Sequence, residues 1–441
     1  MERTIYQDLR HWKNSSNRKP LILLGARQVG KTYILKQFGE REFEHFVYIN
    51  CHNNPFTDAL FRDFNISRII YEIEQQYETK LIVGKTLLFF DEVQETPNGI
   101  SSLKYFCEDM RDLHVVVAGS LLGISLREEE SYPVGKVDTL RMYPMTFEEF
   151  LLANDRQHLC ESIMQCRWDS LNASNDTLID YLRQYYFTGG MPEAVSRWIE
   201  THEAQAVRQV QTEIIDAYER DIAKHTKVLA SRIHIVWNSL PAQLSKENKK
   251  FVYGLLRKGA RANEYELALQ WLCDAGIVYK VQQISKPESP LKFYTEEGFK
   301  IYMLDCGLLA CMANVRPRDI LLGMDIFSEF KGAFTENYVL QQIVATMPNN
   351  KPVQVFYYSK ENSTMEVDFI IETIERTIPI EVKAGNVVQS KSLRNFITSD
   401  FQHLNLKGVR FSLLPYIEQD WMENVPLYGV NGFLHNETAR G

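Results

Sequence analysis

The chain has 441 residues, of which 45% are hydrophobic and 24% charged, and its formal net charge of −8 at pH 7 disfavours constitutive nucleic-acid binding. No apolar run is long enough to cross a bilayer, and the opening residues lack the apolar stretch of a secretory signal, so we expect no membrane partner. The seven cysteines follow no repeating spacing, which favours a cytoplasmic location over a disulfide framework or a zinc site.

A phosphate-binding loop follows the first apolar run. Its eight positions are Gly25, Ala26, Arg27, Gln28, Val29, Gly30, Lys31 and Thr32. The preceding residues 21–24 predict a buried strand and residues 33–38 a helix, which is the context that such a loop requires. Backbone N–H groups would then surround the β-phosphate at a helix N-terminus, with Lys31 on the β- and γ-phosphates and the Thr32 hydroxyl on Mg²⁺.

A second nucleotide motif follows at residues 86–92. Residues 86–90 form an uninterrupted run of apolar and β-branched residues, which predicts a central parallel strand buried on both faces. Asp91 at its carboxyl end would hold Mg²⁺, and Glu92 would orient and deprotonate the attacking water. GTPases usually carry Gly where this chain has Gln94, and no Asn-Lys-x-Asp guanine motif is present, so ATP is favoured over GTP.

A third strand, at residues 115–118, leads to Ser120. This hydroxyl is a candidate sensor of the γ-phosphate, although a serine in an ordinary turn explains it as well. Three basic residues are candidate partners of the γ-phosphate, and an arginine from a neighbouring subunit is a further alternative: Arg127, Lys136 and Arg141. Strand and helix signals alternate up to residue 150, which predicts an α/β fold with a doubly wound parallel sheet. We therefore predict a P-loop ATPase domain at residues 1–150.

The middle of the chain divides by its pattern. Residues 151–222 are helical and form a predicted lid or linker, in which Gly189 and Gly190 indicate either a hinge or a helix stop. Residues 224–262 carry nine basic residues against one acidic residue, a surface suited to DNA phosphates. With the helices and hairpin signals around it, this segment predicts a winged-helix-like domain at 223–326; a packing module with a solvated basic face is the alternative.

The last region, 327–441, contains a possible second chemical site. Two alternating strand patterns place Asp368 on one strand and Glu381 with Lys383 on the next. Two carboxylates and a lysine in this arrangement are typical of a magnesium-dependent nuclease, and Glu336 from a predicted helix would add a ligand. Charged residues on half-exposed strands are also ordinary, so a nuclease-shaped domain that only binds remains an alternative.

Seven short segments of the chain together resemble those of a known family. They comprise residues 25–32 (GARQVGKT, Walker A), 90–94 (FDEVQ, Walker B), 143–150 (YPMTFEEF), 189–193 (GGMPE), 271–276 (WLCDAG), 304–309 (LDCGLL) and 381–383 (EVK). The chain resembles prokaryotic AAA-type ATPases with a C-terminal domain of unknown function and a restriction-endonuclease-like, PD-(D/E)xK-type fold. The resemblance implies a winged-helix-like middle and a nuclease-like last domain. Where such relatives often carry Gly-Arg, this chain has Gly135 and Lys136.

Two functions are compatible with these observations. The first is a Mg²⁺-dependent ATPase that couples its nucleotide cycle to DNA or to nuclease-like action of the C-terminal domain. The second is a nucleotide-dependent signalling switch that binds a protein partner or a second copy of itself, with a catalytically inactive nuclease-like domain.

Overall fold

A computed structural model describes residues 1–120, 133–246, 250–323, 328–347, 354–360, 365–385 and 389–439. These residues form two compact units. One contains Glu2–Tyr143 with Asp274–Gly276, and the other contains Pro144–Cys273 and Ile277–Gly441 together with Met1. In the described ranges, no helix combines the length and the apolar character needed to span a membrane.

The first unit contains a parallel sheet of five strands in the order β2-β3-β4-β1-β5. Its strands are β1 (Leu21–Gly25), β2 (His45–Asn50), β3 (Thr86–Asp91), β4 (His114–Ser120) and β5 (Asp138–Arg141). Its helices in the described ranges are α1 (Ile5–Asn14), α2 (Lys31–Glu42), α3 (Pro55–Leu60), α4 (Ile66–Gln76) and α5 (Gly99–Asp109). The predicted parallel α/β sheet is thereby confirmed.

The apolar runs of the sequence form two buried strands of this sheet. All five residues of β1 and all six of β3 are buried, as central strands covered on both faces must be. Strand β4 lies between β1 and β3 and pairs with both in parallel. The phosphate loop after β1 and the acidic pair after β3 therefore leave the same edge of the sheet, separated by one strand.

The second unit contains a mixed sheet of eight strands in the order β12-β13-β11-β10-β9-β8-β6-β7. Its strands are β6 (Val278–Ile284), β7 (Thr295–Met303), β8 (Val355–Ser359), β9 (Glu366–Glu372), β10 (Thr377–Val382), β11 (Gly408–Ser412), β12 (Ile417–Glu418) and β13 (Met422–Pro426). Many helices accompany it. Those described up to residue 274 are α6 (Phe147–Ala153), α7 (Gln157–Met164), α8 (Trp168–Asn172), α9 (Asn175–Thr188), α10 (Pro192–Thr201), α11 (Ala204–Ile222), α12 (Lys227–Leu244) and α13 (Ala262–Asp274). Later in the chain come α14 (Cys306–Met312), α15 (Pro317–Leu321), α16 (Ser328–Thr346), α17 (Lys391–Asn395) and α18 (Val430–Ala439).

The hairpin predicted as the wing belongs to this large sheet. Strands β6 and β7 pair antiparallel, as expected for a ribbon, but β6 also pairs in parallel with β8 at Gln282 and Gln283. A wing would expose both edges of its ribbon, whereas this hairpin is an edge of the C-terminal sheet. The sheet thus crosses the predicted boundary at residue 326. The domain boundaries at residues 150, 222 and 326 remain predictions.

The two glycines in the helical region end helix α9. Gly189 has φ +69°, and an added Cβ there would lie 2.0 Å from Oδ1 of Asp305. The Asp305 carboxylate accepts hydrogen bonds from the amides of Gly190 (2.6 Å) and Leu308 (2.9 Å). Only a glycine at position 189 permits this left-handed backbone and close approach, which favours the helix-stop interpretation over the hinge.

Candidate functional site

The phosphate loop connects β1 to the N-terminus of α2. Gly30 is the N-cap of α2 with φ 99°, a left-handed conformation that glycine adopts without strain. Lys31 is 8% exposed, and its Nζ donates hydrogen bonds to the carbonyl oxygens of Gly25 (2.9 Å) and Ala26 (2.8 Å). Burial lowers the pKa of Lys31 to about 8, although the charges of Glu92 and Asp91 act in the opposite direction. The Lys31 side chain therefore folds back onto the phosphate loop, where it would also contact bound phosphates.

The two side chains predicted to hold magnesium are in contact. The Thr32 hydroxyl donates to Oδ2 of Asp91 at 2.9 Å, and the Tyr48 hydroxyl donates to the same oxygen at 3.1 Å. Burial raises the pKa of Asp91, while the hydrogen bond from Thr32 lowers it in part. A hydroxyl and a carboxylate at one point are the hard oxygen ligands that Mg²⁺ prefers, so this donor set fits the ion.

The predicted catalytic base follows Asp91 in an unusual backbone conformation. Glu92 has φ 52°, in the left-handed region that a glutamate seldom adopts, and it precedes a 3₁₀ turn at Val93–Glu95. Within this turn the side-chain amide Nε2 of Gln94 donates to Oε2 of Glu92. The backbone geometry therefore aims Glu92 differently from a residue that continues the strand, and Gln94 holds its carboxylate.

The structure describes the remaining candidates of this site unevenly. Ser120 is the last residue of β4 and pairs in register with Gly25, but its side chain lies outside the described residues, as does Arg127. Lys136 forms an ion pair with Glu108 at 2.8 Å. Arg141 lies on β5 opposite Leu24 of β1. The choice among the three basic residues stays open.

Arg3 contacts the phosphate loop, although no sequence motif indicates it. Arg3 donates from Nη1 to the carbonyl oxygen of Val29 in the phosphate loop (2.9 Å) and from Nη2 to that of Tyr143 (2.6 Å). A guanidinium that spans two backbone segments restricts both, because its donors have a fixed planar geometry. Arg3 precedes α1, far from the loop in sequence, and only the fold brings it there.

The predicted nuclease-like residues lie close together in the second unit. The Asp368 carboxylate accepts from the amide of Val382 at 2.8 Å, and Nζ of Lys383 lies 2.8 Å from Oε1 of Glu381. Glu336 of α16 accepts from the Tyr302 hydroxyl at 3.0 Å. Burial lowers the pKa of Lys383, but Glu381, Asp368 and Glu336 outweigh it and the net shift is upward. The four predicted side chains therefore share one electrostatic environment.

This cluster contains a second lysine that the sequence did not indicate. Lys300 on β7 is fully buried and forms an ion pair with Glu366. Burial lowers its pKa, but the charges of Glu366, Glu336 and Asp368 produce a net rise. In the described parts of the chain, no three His, Cys, Asp or Glu side chains are grouped closely enough to hold a metal ion. Metal binding at this cluster stays a prediction.

The basic segment 224–262 presents many of its cations to solvent. Lys224 forms an ion pair with Asp221 (3.0 Å), and Arg257 forms one with Glu264 (2.9 Å). Several others are exposed, namely Lys227, Lys246, Lys258 and Arg261. Residues 247–249 lie outside the described ranges.

Comparison with known families covers most of the chain in three parts. Residues 17–151 match the model of an AAA domain. The chain carries an AAA domain. The match includes the phosphate loop, Asp91 and Glu92, and it supports nucleotide binding and hydrolysis by this AAA domain. Residues 179–319 and 331–424 match two domains of unknown function, DUF8612 and DUF4143. Neither match names a winged helix or a nuclease, so both remain predictions.

Three solved structures show limited similarity to this chain. A Walker-type ATPase of Pyrococcus abyssi is 14% identical, with 70% of this chain and 95% of that chain covered and a TM-score of 0.42. Cdc6p from Pyrobaculum aerophilum is 13% identical (73% and 94% covered, TM-score 0.22), and a chain of Drosophila ORC bound to DNA is 12% identical (73% and 84% covered, TM-score 0.25). A search of curated proteins gives no significant match.

Proposed function

We propose that the chain binds Mg²⁺-ATP at residues 25–32 and hydrolyses the bond between the β- and γ-phosphates. The observation that supports this most directly is the 2.9 Å hydrogen bond between Thr32 and Asp91. It joins the end of the phosphate loop to the acidic pair after β3, so that both halves of a nucleotide site meet at one edge of the sheet.

Each residue then has a defined task. Lys31 and the loop amides of residues 25–32 bind the β- and γ-phosphates at the N-terminus of α2. Thr32 and Asp91 hold the magnesium ion, which when bound neutralises charge that develops on the phosphate oxygens. Glu92 orients the attacking water and accepts its proton. Ser120 remains a candidate sensor of the γ-phosphate.

Two variants test this proposal. Lys31→Ala should abolish ATP binding, because it removes the cation from the loop, and Lys80→Ala, which removes an exposed lysine, is the matched control. Titration with a fluorescent ATP analogue measures both. Undiminished affinity in Lys31→Ala would eliminate the loop as the nucleotide site.

The second variant separates binding from hydrolysis. Glu92→Gln should retain ATP affinity but lose hydrolysis by about 10²-fold or more, since a positioned base contributes roughly that factor. Glu95→Gln, three residues later and exposed, should hydrolyse ATP at the wild-type rate. Wild-type turnover in Glu92→Gln would mean that another group activates the water.

A second candidate activity is metal-dependent DNA cleavage by the C-terminal cluster. It is supported by Glu381, which is 3% exposed and has one oxygen, Oε2, with no hydrogen-bond partner among the described residues. A buried carboxylate oxygen without a donor fits a cation that Asp368 would share. Lys383 would then leave Glu381 and stabilise charge on the phosphate.

Nicking of supercoiled plasmid in Mg²⁺ or Mn²⁺ tests this activity. Asp368→Ala and Lys383→Ala should abolish nicking, and Lys391→Ala, which changes an exposed lysine in the same region, should not. If all three variants nick DNA equally, the activity belongs to another site or to a contaminant.

Measurements with DNA distinguish coupling between the ATPase and the nuclease-like site from a switch function. A DNA-coupled enzyme should hydrolyse ATP faster with double-stranded DNA, and its DNA affinity should fall steeply with salt. Neutralising Lys227, Lys246, Lys258 and Arg261 together should reduce that salt dependence. A switch that binds a protein partner, or a second copy of this chain, through an inactive nuclease-like domain should be indifferent to DNA.

A further inference from the structure

Gln94 is a buried polar residue of the AAA domain that contacts the predicted catalytic base. It is 3% exposed and lies in the 3₁₀ turn Val93–Glu95, which packs against strand β4. Its Nε2 donates to Oε2 of Glu92. The other end of the same amide, Oε1, is enclosed and has no hydrogen-bond partner among the described residues.

This half-satisfied amide is difficult to explain as a structural feature. Burying an acceptor without a donor is costly, and an apolar side chain of similar length would avoid the cost. Glu92 is also held in a left-handed backbone conformation immediately before the turn. Unfavourable features of this kind, concentrated on two residues separated by one position, are characteristic of functional sites where geometry matters more than stability.

We propose that Gln94 is the positioning residue of the catalytic glutamate. Its amide nitrogen fixes one oxygen of Glu92, so that the other oxygen is presented to the attacking water in a single orientation. The left-handed backbone of Glu92 and the amide of Gln94 together determine where the carboxylate lies. This inference rests on the proposed hydrolysis of ATP by Glu92.

The first test compares kcat, ATP affinity and melting temperature of the full chain in Gln94→Leu and wild type. Leucine has a similar size but cannot donate to Glu92. We expect kcat to fall on the order of 10- to 100-fold, the range that a misplaced catalytic group produces, while ATP affinity stays within about twofold and the melting temperature is retained. Unchanged kcat, or a parallel loss of kcat, affinity and melting temperature, would overturn the proposal.

A second test does not depend on the behaviour of the leucine variant. In Gln94→Glu the side-chain shape is retained, but a carboxylate faces that of Glu92 and repels it, so kcat should fall at least as far. In the Glu92→Gln background, Gln94→Leu should cause no further loss, because residues that act through one another are not additive. An additional tenfold loss in the double variant would show that Gln94 acts independently of Glu92.

Failure of the proposed role of Glu92 can be distinguished from failure of the inference about Gln94. If wild type and Glu92→Gln hydrolyse ATP equally, the assignment of Glu92 fails and Gln94 loses its target. If Glu92→Gln is inactive while Gln94→Leu and Gln94→Glu match wild type, only the inference about Gln94 fails.

Discussion

Binding of ATP at alkaline pH should be coupled to the uptake of a proton by Lys31. Burial lowers the pKa of this lysine to about 8, from an ordinary value of 10.5. In the free protein the ammonium therefore loses its proton as the pH rises through 8. Bound phosphates favour the charged form and restore it, so that binding above pH 8 takes up a proton. Affinity should be highest below pH 8 and decline above it.

The size of the effect follows from this pKa. Each pH unit above 8 reduces affinity up to tenfold, or about 1.4 kcal/mol. Between pH 7.5 and pH 9.5 the dissociation constant should rise roughly 25-fold, and at pH 8.5 about 0.8 proton should be taken up per ATP bound.

Isothermal titration calorimetry in two buffers of different ionisation enthalpy measures both quantities. Lys31→Arg is the matched control, since a guanidinium stays charged throughout this range and should remove the pH dependence even if affinity is lower. An equal dissociation constant for wild type at pH 7.5 and 9.5 would refute the reasoning.

The other predictions concern contacts that support the two units. Arg3→Met should weaken ATP binding about 3- to 10-fold, because the phosphate loop loses its guanidinium contact at Val29; exposed Arg10→Met is the control, and equal affinities would argue against the contact. Burial raises the pKa of Glu148 to about 8, so the unfolding free energy should fall by up to about 1.4 kcal/mol per pH unit from pH 4.5 to 8. Urea unfolding of Glu148→Gln should lack this decline. Asp305→Asn should cost about 2–4 kcal/mol, since one oxygen cannot replace two acceptors, and an unaltered thermal midpoint would contradict that estimate.

The contact between the two nucleotide motifs was predictable because each motif is local in sequence. The phosphate loop needs consecutive residues, and the apolar runs before Gly25 and Asp91 identify two parallel strands. Since such strands end at one edge of a sheet, the contact between Thr32 and Asp91 follows from two short segments.

The residues that contact these motifs from elsewhere were not predictable, because their positions depend on the backbone conformation and the tertiary fold. Gln94 contacts Glu92 only because the backbone turns into the left-handed region, which a glutamate does not signal. Tyr48 reaches Asp91 from a strand whose place in the sheet is decided by tertiary packing. Arg3 meets Val29 through the folding of α1 against the rest of the unit.

The C-terminal cluster was half predictable. Alternation along two segments predicted that Asp368 and Glu381 lie on adjacent strands, and β9 and β10, which contain them, do pair. Their chemical role stays a prediction. Lys300 was missed, since its strand has a hairpin pattern and no local signal shows that β6 will pair with β8. Long-range parallel pairing of this kind leaves no trace in the hydrophobic pattern of either strand.

The pairing of β6 with β8 also limits how the protein can be divided. A fragment beginning near residue 327 would contain β8 but lack β6 and β7. Its sheet would then end on β8, and the groups that normally bond to β6 would be open to pairing with other chains. It would also lack Lys300, leaving Glu366 and its acidic neighbours without that buried cation. We expect such a fragment to aggregate. A fragment for nuclease assays should therefore begin before β6, so that it keeps the β6–β7 hairpin.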